Sequence, residues 1–141
     1  MIIRKIGEII INFLYDIYMS CLFDSLNHFI GEGSYEIRQK ICNYLQENKQ
    51  IIDGLGTSNI LELENCSAEQ YISNMRLMSS WGGAIEIQSA CNIWGLKINV
   101  KNYRDNNNRT IEFLPINKSY NKTINIYWTG GHFEPLKNLE S

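Results

Sequence analysis

The sequence has little of what a metal site requires. Its four cysteines stand far apart without a C-x-x-C pair, and it contains only two histidines. This spacing excludes the common Cys/His zinc motifs, and scattered cysteines are typical of reduced thiols in a reducing compartment. We therefore expect no metal and no other cofactor. We also expect a cytoplasmic, intracellular location, which would be the host cytoplasm for a viral protein or an effector.

Concentrated charge of either sign is also missing. Thirteen basic and fifteen acidic residues give a formal net charge of −2, and no run of like charges occurs. A nucleic-acid-binding domain usually carries a basic patch or stripe. We therefore expect no nucleic acid among the partners.

The sequence contains no apolar run long enough to cross a bilayer. Residues 1–18 are rich in Ile and Phe and include Arg4 and Lys5, as the start of a signal peptide would. However, Glu8 and Asp16 bracket the apolar run, and no small-residue cleavage site follows. We expect a packed N-terminal element at 1–17, whose pattern suits a helix or a buried strand, and no membrane association.

The totals are those of one globular domain. The chain has 141 residues, of which 44% are hydrophobic and 20% are charged. A chain of this length can bury a core of ordinary size. Because no internal repeat or linker is present, we expect a single domain over 1–141. We also expect a monomer.

Residues 20–95 are patterned mainly for helices. Apolar residues spaced for one helical face begin at Cys21, with Ser20 as the expected N-cap and Gly31 as the stop. A second helix is predicted from a Ser34 cap to about residue 48, and residues 53–57 are predicted to form a loop. Two more helices are predicted, from a Ser67 cap to near 79–80 and over 84–94.

From Leu96 onward the apolar period changes from 3.6 to 2. Strands are predicted at 96–101, 110–114 and 123–128, with a polar hairpin loop at 104–109 and a short extended segment at 132–136. Helices followed by a run of antiparallel strands indicate an α+β fold.

One pair of residues suggests catalysis. Cys21 begins a helix, where the helix dipole favours thiolate, and His132 follows a Gly-Gly break far along the chain. A Cys and a His that meet only in the fold are typical of thiol hydrolases. Glu134 can share a strand face with His132 and hold its imidazole, and backbone N–H groups of Tyr18, Ser20 and Cys21 would form an oxyanion hole. From these residues alone, an inert core thiol remains the alternative for Cys21.

Two glycine-containing segments receive different interpretations. Trp128, Gly130 and Gly131 precede His132, and we expect them to line a channel for the tail of a substrate. For the other segment, residues 81–83, we favour a structural role. In that interpretation Trp81 packs against the core, and the two glycines begin the next helix without a side-chain clash.

Five segments carry more specific motifs. They are Cys21–Leu26, Glu36–Gln39, Tyr71–Met75 with Trp81–Ile87, Leu96–Val100, and His132–Glu134. In this order they resemble the ovarian-tumour (OTU) family of cysteine peptidases. They match its nucleophile segment, its Leu-Arg element, its Tyr…Met…Trp-Gly-Gly-x-x-Glu-Leu block, the strand after that block, and its His-aromatic-(Asp/Asn) segment. The resemblance covers residues 18–136.

The resemblance implies a papain-like, OTU-type α+β fold, with helices packed on a small, mainly antiparallel sheet. It implies a deubiquitinase that cleaves peptide or isopeptide bonds after the C-terminal glycine of ubiquitin or a ubiquitin-like modifier. By position, it assigns the nucleophile to Cys21, the general base to His132 and the imidazole-orienting role to Glu134.

The chain departs from the family pattern just before the cysteine. The family usually has Asp-Gly-Asn or Asp-Gly-Asp there, whereas this chain has Tyr18-Met19-Ser20, which alters the oxyanion-hole segment. The departure leaves open a second hypothesis, a catalytically weak or inactive ubiquitin-binding pseudoenzyme of the same fold. A peptidase acting on a polyprotein and a purely structural domain are further alternatives.

Overall fold

The computed structural model describes residues 20–63, 65, 67–103 and 109–136. The predicted N-terminal element at 1–17, Tyr18 and residues 104–108 of the predicted hairpin loop lie outside these residues. No helix within the described ranges is both long enough and apolar enough to span a bilayer.

Five helices and six strands occupy the described residues, helices mostly first. They are α1 (Cys21–Ile30), α2 (Ser34–Gln46), β1 (Gln50–Ile52), β2 (Leu55–Gly56), α3 (Thr57–Leu63), α4 (Ala68–Met75), α5 (Ala84–Trp94), β3 (Leu96–Asn102), β4 (Thr110–Phe113), β5 (Lys122–Trp128) and β6 (Phe133–Pro135).

The ends of α1 follow the prediction in position but not in every contact. Gly31 ends the helix with a φ of 76°, and its N–H donates to the Asn27 carbonyl. Ser20 precedes the helix, but its hydroxyl does not cap it, so that expectation was wrong. Buried polar side chains take the hydrogen-bond partners that their surroundings offer. The Ser20 hydroxyl accordingly donates to the Met78 carbonyl oxygen, with 3.4 Å between the two oxygens.

The other helix boundaries differ by a few residues from the prediction. Gly33, with a φ of 104°, is the N-cap of α2, so Ser34 is its first helical residue rather than its cap. Ser67 caps α4 as predicted, accepting from the Gln70 N–H at 3.5 Å. Helix α4 ends at Met75, before the predicted 79–80, and the Met75 carbonyl accepts instead from the buried guanidinium of Arg38 at 2.8 Å.

Residues 50–63 hold the largest departure from the predicted elements. Strands β1 and β2 form a small antiparallel hairpin, and α3 begins at Thr57, where the sequence predicted a loop. Strands of three and two residues are too short to show a period of two. Only the turn at Asp53-Gly54 agrees with the predicted loop, and Gly54 adopts a φ of 84° there.

The main sheet has the strand order β4-β3-β5-β6. Two pairings, β3 with β4 and β5 with β6, are antiparallel, whereas β3 and β5 are parallel. The predicted α+β fold with a small, mainly antiparallel sheet is confirmed. The parallel pair places Ile98 beside Ile124 and Val100 beside Ile126 in the core. This pairing lets β5 and β6 continue the sheet on the side of β3 away from β4.

Among the residues that the structure describes, a single hydrophobic core joins the helices to the sheet. Helix α1 contacts α2 on one side and β6 on another, so the start of α1 lies beside the last strand. The fully buried apolar side chains of this core include Leu22, Phe23, Leu26, Ile37, Ile41, Cys42, Ala90, Cys91, Ile98 and Ile126. The packing of α1 against both neighbours determines where its first residue points.

The segment before α5 approaches α1 closely at Gly82. A Cβ on Gly82 would lie 2.6 Å from Leu22 Cδ2 and 3.0 Å from two ring atoms of Phe23. A Cβ on Gly83 would have no atom within 4 Å, and Gly83 has a negative φ. The sequence analysis expected both glycines to avoid a side-chain clash. This expectation is correct for Gly82 and wrong for Gly83.

These neighbouring glycines provide a matched test of packing. Gly82→Ala is expected to lower the free energy of unfolding by about 1–3 kcal/mol, because the added methyl overpacks the contact with α1. Gly83→Ala is expected to change it by no more than about 0.5 kcal/mol. Urea denaturation measures both values. Equal losses in the two variants would contradict the close approach at Gly82.

Candidate active site

Cys21 is the first residue of α1, and its side chain is 8% exposed. Its Sγ accepts a hydrogen bond from the backbone N–H of Phe133 at 3.2 Å. Phe133 begins β6 and lies 112 residues further along the chain. The fold therefore brings the residue directly after His132 into contact with the cysteine sulfur.

The pKa of the Cys21 thiol is shifted in the direction opposite to the prediction. Burial raises the pKa of this thiol above its ordinary value, and that effect is larger than the opposing ones. The N–H groups of Phe133 and Leu22 lower the pKa, whereas the carboxylate of Asp24 raises it further. Amides at the helix start do favour thiolate, as the sequence predicted, but the loss of solvation outweighs them.

His132 and Glu134 are in direct contact. The His132 Nε2 lies 2.5 Å from the Glu134 Oε1, and the two side chains are 34% and 44% exposed. The His132 Nδ1 is shielded from solvent. Because the carboxylate binds one ring nitrogen, the orientation of the imidazole relative to the backbone of Phe133 is constrained.

A cavity of about 350 Å³ opens beside the Cys21 sulfur. Trp128, Gly130 and Gly131, which the sequence predicted to contact substrate, line this cavity together with Cys21. A Cβ on Gly131 would have no atom within 4 Å, so this glycine leaves space open. Most of the remaining lining is apolar.

Residues 81–83 line the same cavity, which the structural interpretation of the sequence did not anticipate. Trp81 is 55% exposed, so the expectation that it packs against the core was wrong. The neighbouring Gly82, rather than Trp81, makes the close contact with α1. The sequence also gave no signal for Ile111 and Phe113 of β4, which line the cavity from the sheet edge.

The expected oxyanion residues are described only in part. Ser20 is buried, Cys21 begins the helix, and Tyr18 lies outside the described residues. The first N–H groups of a helix have no backbone partner within it, and that of Leu22 favours negative charge on the Cys21 sulfur. Within the described ranges, no three His, Cys, Asp or Glu side chains are grouped to hold a metal ion.

Comparison with known proteins supplies independent findings. The family model described as OTU-like cysteine protease matches residues 20–133. A curated relative, ubiquitin thioesterase Otu1 of Drosophila melanogaster, is 28% identical over 124 residues, which cover 83% of this chain. That match covers 32% of the relative, so the chain spans about a third of its length.

Solved structures show the same fold. An ovarian tumor (OTU) domain in complex with ubiquitin superposes with a TM-score of 0.67 at 19% identity, covering 82% of this chain and 62% of that one. An OTU deubiquitinase from Wolbachia pipientis wMel bound to ubiquitin gives a TM-score of 0.59 at 21% identity, covering 85% and 90%.

The raised thiol pKa predicts a pH dependence. Alkylation requires thiolate, so the rate at which iodoacetamide modifies Cys21 is expected to keep rising above pH 9.0, the ordinary pKa of a thiol. The measurement is made on native protein carrying Cys66→Ser. Cys42 and Cys91 serve as internal controls, because burial raises the pKa of these thiols to about 11 and about 12. A rate that levels off near neutral pH would contradict the prediction.

Proposed function

The chain belongs to the OTU-like cysteine protease family, and we propose that it is a thiol-dependent deubiquitinase. In this proposal it hydrolyses peptide or isopeptide bonds after the C-terminal glycine of ubiquitin or a ubiquitin-like modifier. The observation that carries the proposal is the contact at an apolar cavity between the Cys21 sulfur and Phe133, the residue that His132 and Glu134 flank in the chain. The name of the Drosophila relative and the ubiquitin-bound structures support ubiquitin as the partner.

Three side chains would divide the chemistry among them. The Cys21 Sγ attacks the carbonyl carbon of the terminal glycine while His132 accepts the thiol proton at Nδ1. Glu134 holds the other ring nitrogen, Nε2, and stabilises the imidazolium. The imidazolium then protonates the departing amine as the carbon–nitrogen bond breaks, leaving a thioester on Cys21. Water, deprotonated by His132, hydrolyses the thioester and regenerates the thiol.

The raised thiol pKa is compatible with this sequence of steps. A buried neutral thiol does not ionise by itself at neutral pH, so proton transfer to His132 would accompany the attack. Backbone N–H groups of Ser20 and Cys21, together with Tyr18, would stabilise the oxyanion. Each such donor contributes about 10²–10³ in rate, so this segment would strongly affect turnover.

The cavity supports a substrate tail without side chains. Trp128, Gly130 and Gly131 line the cavity that Cys21 also lines, and the missing side chain of Gly131 leaves space open there. A chain ending in Gly-Gly is narrow enough for such a passage, whereas a bulky penultimate residue would meet its apolar walls.

The proposal predicts covalent capture at a single sulfur. Ubiquitin carrying a C-terminal electrophile is expected to form a one-to-one adduct with the protein, because the tail would deliver the electrophile to Cys21. Intact-mass measurement detects the adduct, and Cys21→Ala is expected to form none. Cys91→Ala is the matched control, since that thiol is buried and does not line the cavity. An absent adduct, or equal labelling of the Cys21 variant, would refute the proposal.

The orienting role of Glu134 predicts a separate kinetic effect. Glu134→Gln keeps the size of the side chain but removes its charge, so it is expected to lower kcat by about ten-fold or more. KM is expected to change little, because the residue does not line the cavity. Glu112→Gln, on the opposite edge of the sheet, is the control. Cleavage of ubiquitin bearing a fluorogenic C-terminal amide measures both parameters. A change confined to KM would contradict the assigned role.

The second candidate is a ubiquitin-binding pseudoenzyme of the same fold. Two observations favour it: the Tyr18-Met19-Ser20 segment in place of the family pattern, and a thiol whose pKa is raised by burial. Binding of ubiquitin without turnover would establish this alternative, and normal turnover would exclude it.

A further inference from the structure

Two oppositely charged side chains are buried near the cavity, and the proposed reaction uses neither. Arg38 on α2 is 0% exposed, and Glu86 on α5 is 1% exposed. Burying a charge is costly, and well-packed apolar residues are often at least as stable in such places. The two charges therefore call for an explanation other than general stability.

Arg38 binds the backbone on the N-terminal side of the cavity wall. Its Nη1 donates to the carbonyl oxygens of Ser80 at 2.9 Å and Met75 at 2.8 Å. Its guanidinium carbon lies 4.1 Å from the centre of the Phe23 ring, in α1. One side chain thus connects the helix that carries Cys21 to the beginning of residues 80–83.

Glu86 binds the backbone at the other end of the same segment. Its Oε1 accepts from the Gly83 N–H at 2.7 Å, and its Oε2 accepts from the Tyr71 hydroxyl at 2.6 Å. The contact with Tyr71 connects the carboxylate to α4. Residues 80–83, which we name the 80–83 loop, are therefore anchored at both ends to buried charged groups.

The 80–83 loop touches α1 at Gly82 and borders two cavities. Trp81, Gly82 and Gly83 line the 350 Å³ cavity that contains Cys21. The same three residues also line a second cavity of about 370 Å³, which Tyr71 and Glu86 border. The second cavity gives the wall room to move away from the first, so its position depends on the anchors.

We propose that Arg38 and Glu86 are positioning residues that hold the 80–83 loop as the substrate-facing wall of the cavity. The inference rests on the proposed function: the wall sets how tightly the substrate tail binds and does not take part in bond cleavage. Loosening either anchor therefore raises KM and leaves kcat nearly unchanged. This pattern is expected when an interaction that is equally strong in the bound substrate and in the transition state is lost.

The test uses Tyr71→Phe, which removes one hydroxyl from the Glu86 anchor and keeps the ring. KM for ubiquitin with a fluorogenic C-terminal amide is expected to rise about ten-fold, since a buried hydrogen bond to the Glu86 carboxyl group is lost. Tyr44→Phe is the matched control, because its hydroxyl bonds Gln50 and Asn92 away from this wall. Glu86→Ala is expected to raise KM at least as much, and Glu86→Gln to restore most of the affinity, since its amide oxygen can still accept from Gly83.

A second measurement does not depend on turnover. Hydrogen exchange of the Gly83 amide, followed by NMR, is expected to accelerate about ten-fold in Tyr71→Phe and to stay unchanged in Tyr44→Phe.

Wild-type protein that shows no turnover refutes the proposed function alone, and the exchange measurement then decides the inference. Unchanged KM and unchanged exchange in an active enzyme refute the inference alone. A lower melting temperature and lower kcat at constant KM would indicate a merely structural role and would also overturn it.

Discussion

The contact between the Phe133 N–H and the Cys21 sulfur is the constraint on which the rest of the site depends. It joins the first turn of α1 to the start of β6, across 112 residues of chain. It requires β6 to lie at the edge of the sheet beside β5, and it requires α1 to pack against that edge. The parallel pairing of β3 with β5 makes this possible, because it places β5 and β6 on the far side of β3 from β4. His132 and Glu134 flank Phe133, the residue that makes the contact and that also lines the cavity.

The same burial that orders Cys21 also opposes its ionisation. Backbone amides from Phe133 and Leu22 stabilise negative charge on the sulfur, yet burial has the larger effect on the thiol pKa. In the proposed reaction this sulfur needs a neighbouring base at the moment of attack, and the His132–Glu134 pair flanks the residue that contacts it. Burial, the backbone donors and the imidazole therefore have to be considered together. A helix start by itself does not determine the reactivity of the thiol.

Two different physical effects explain why glycine suits the positions around the cavity. Gly82 is required by packing, because any side chain there would meet Leu22 and Phe23. Gly83 and Gly131 face open space and have no such contact, so their missing side chains widen the cavity. Buried charges hold the wall that contains Gly82 and Gly83, and this arrangement links the core of the domain to the shape of its site. The shape of the cavity thus depends on residues that do not touch it.

The sequence by itself determined the elements whose causes are local. The apolar face of α1, its stop at Gly31, the span of α5, the alternation in β3 and the α+β order follow from neighbours a few residues apart. Only the tertiary structure decided the strand order, the hydroxyl direction of Ser20, the early end of α4 and the outward position of Trp81. Each of these depends on a partner distant in sequence, such as Arg38 for Met75, and a local pattern carries no information about such partners. The sequence could suggest which residues form a site, but their distances and the sign of the thiol pKa shift depend on long-range packing.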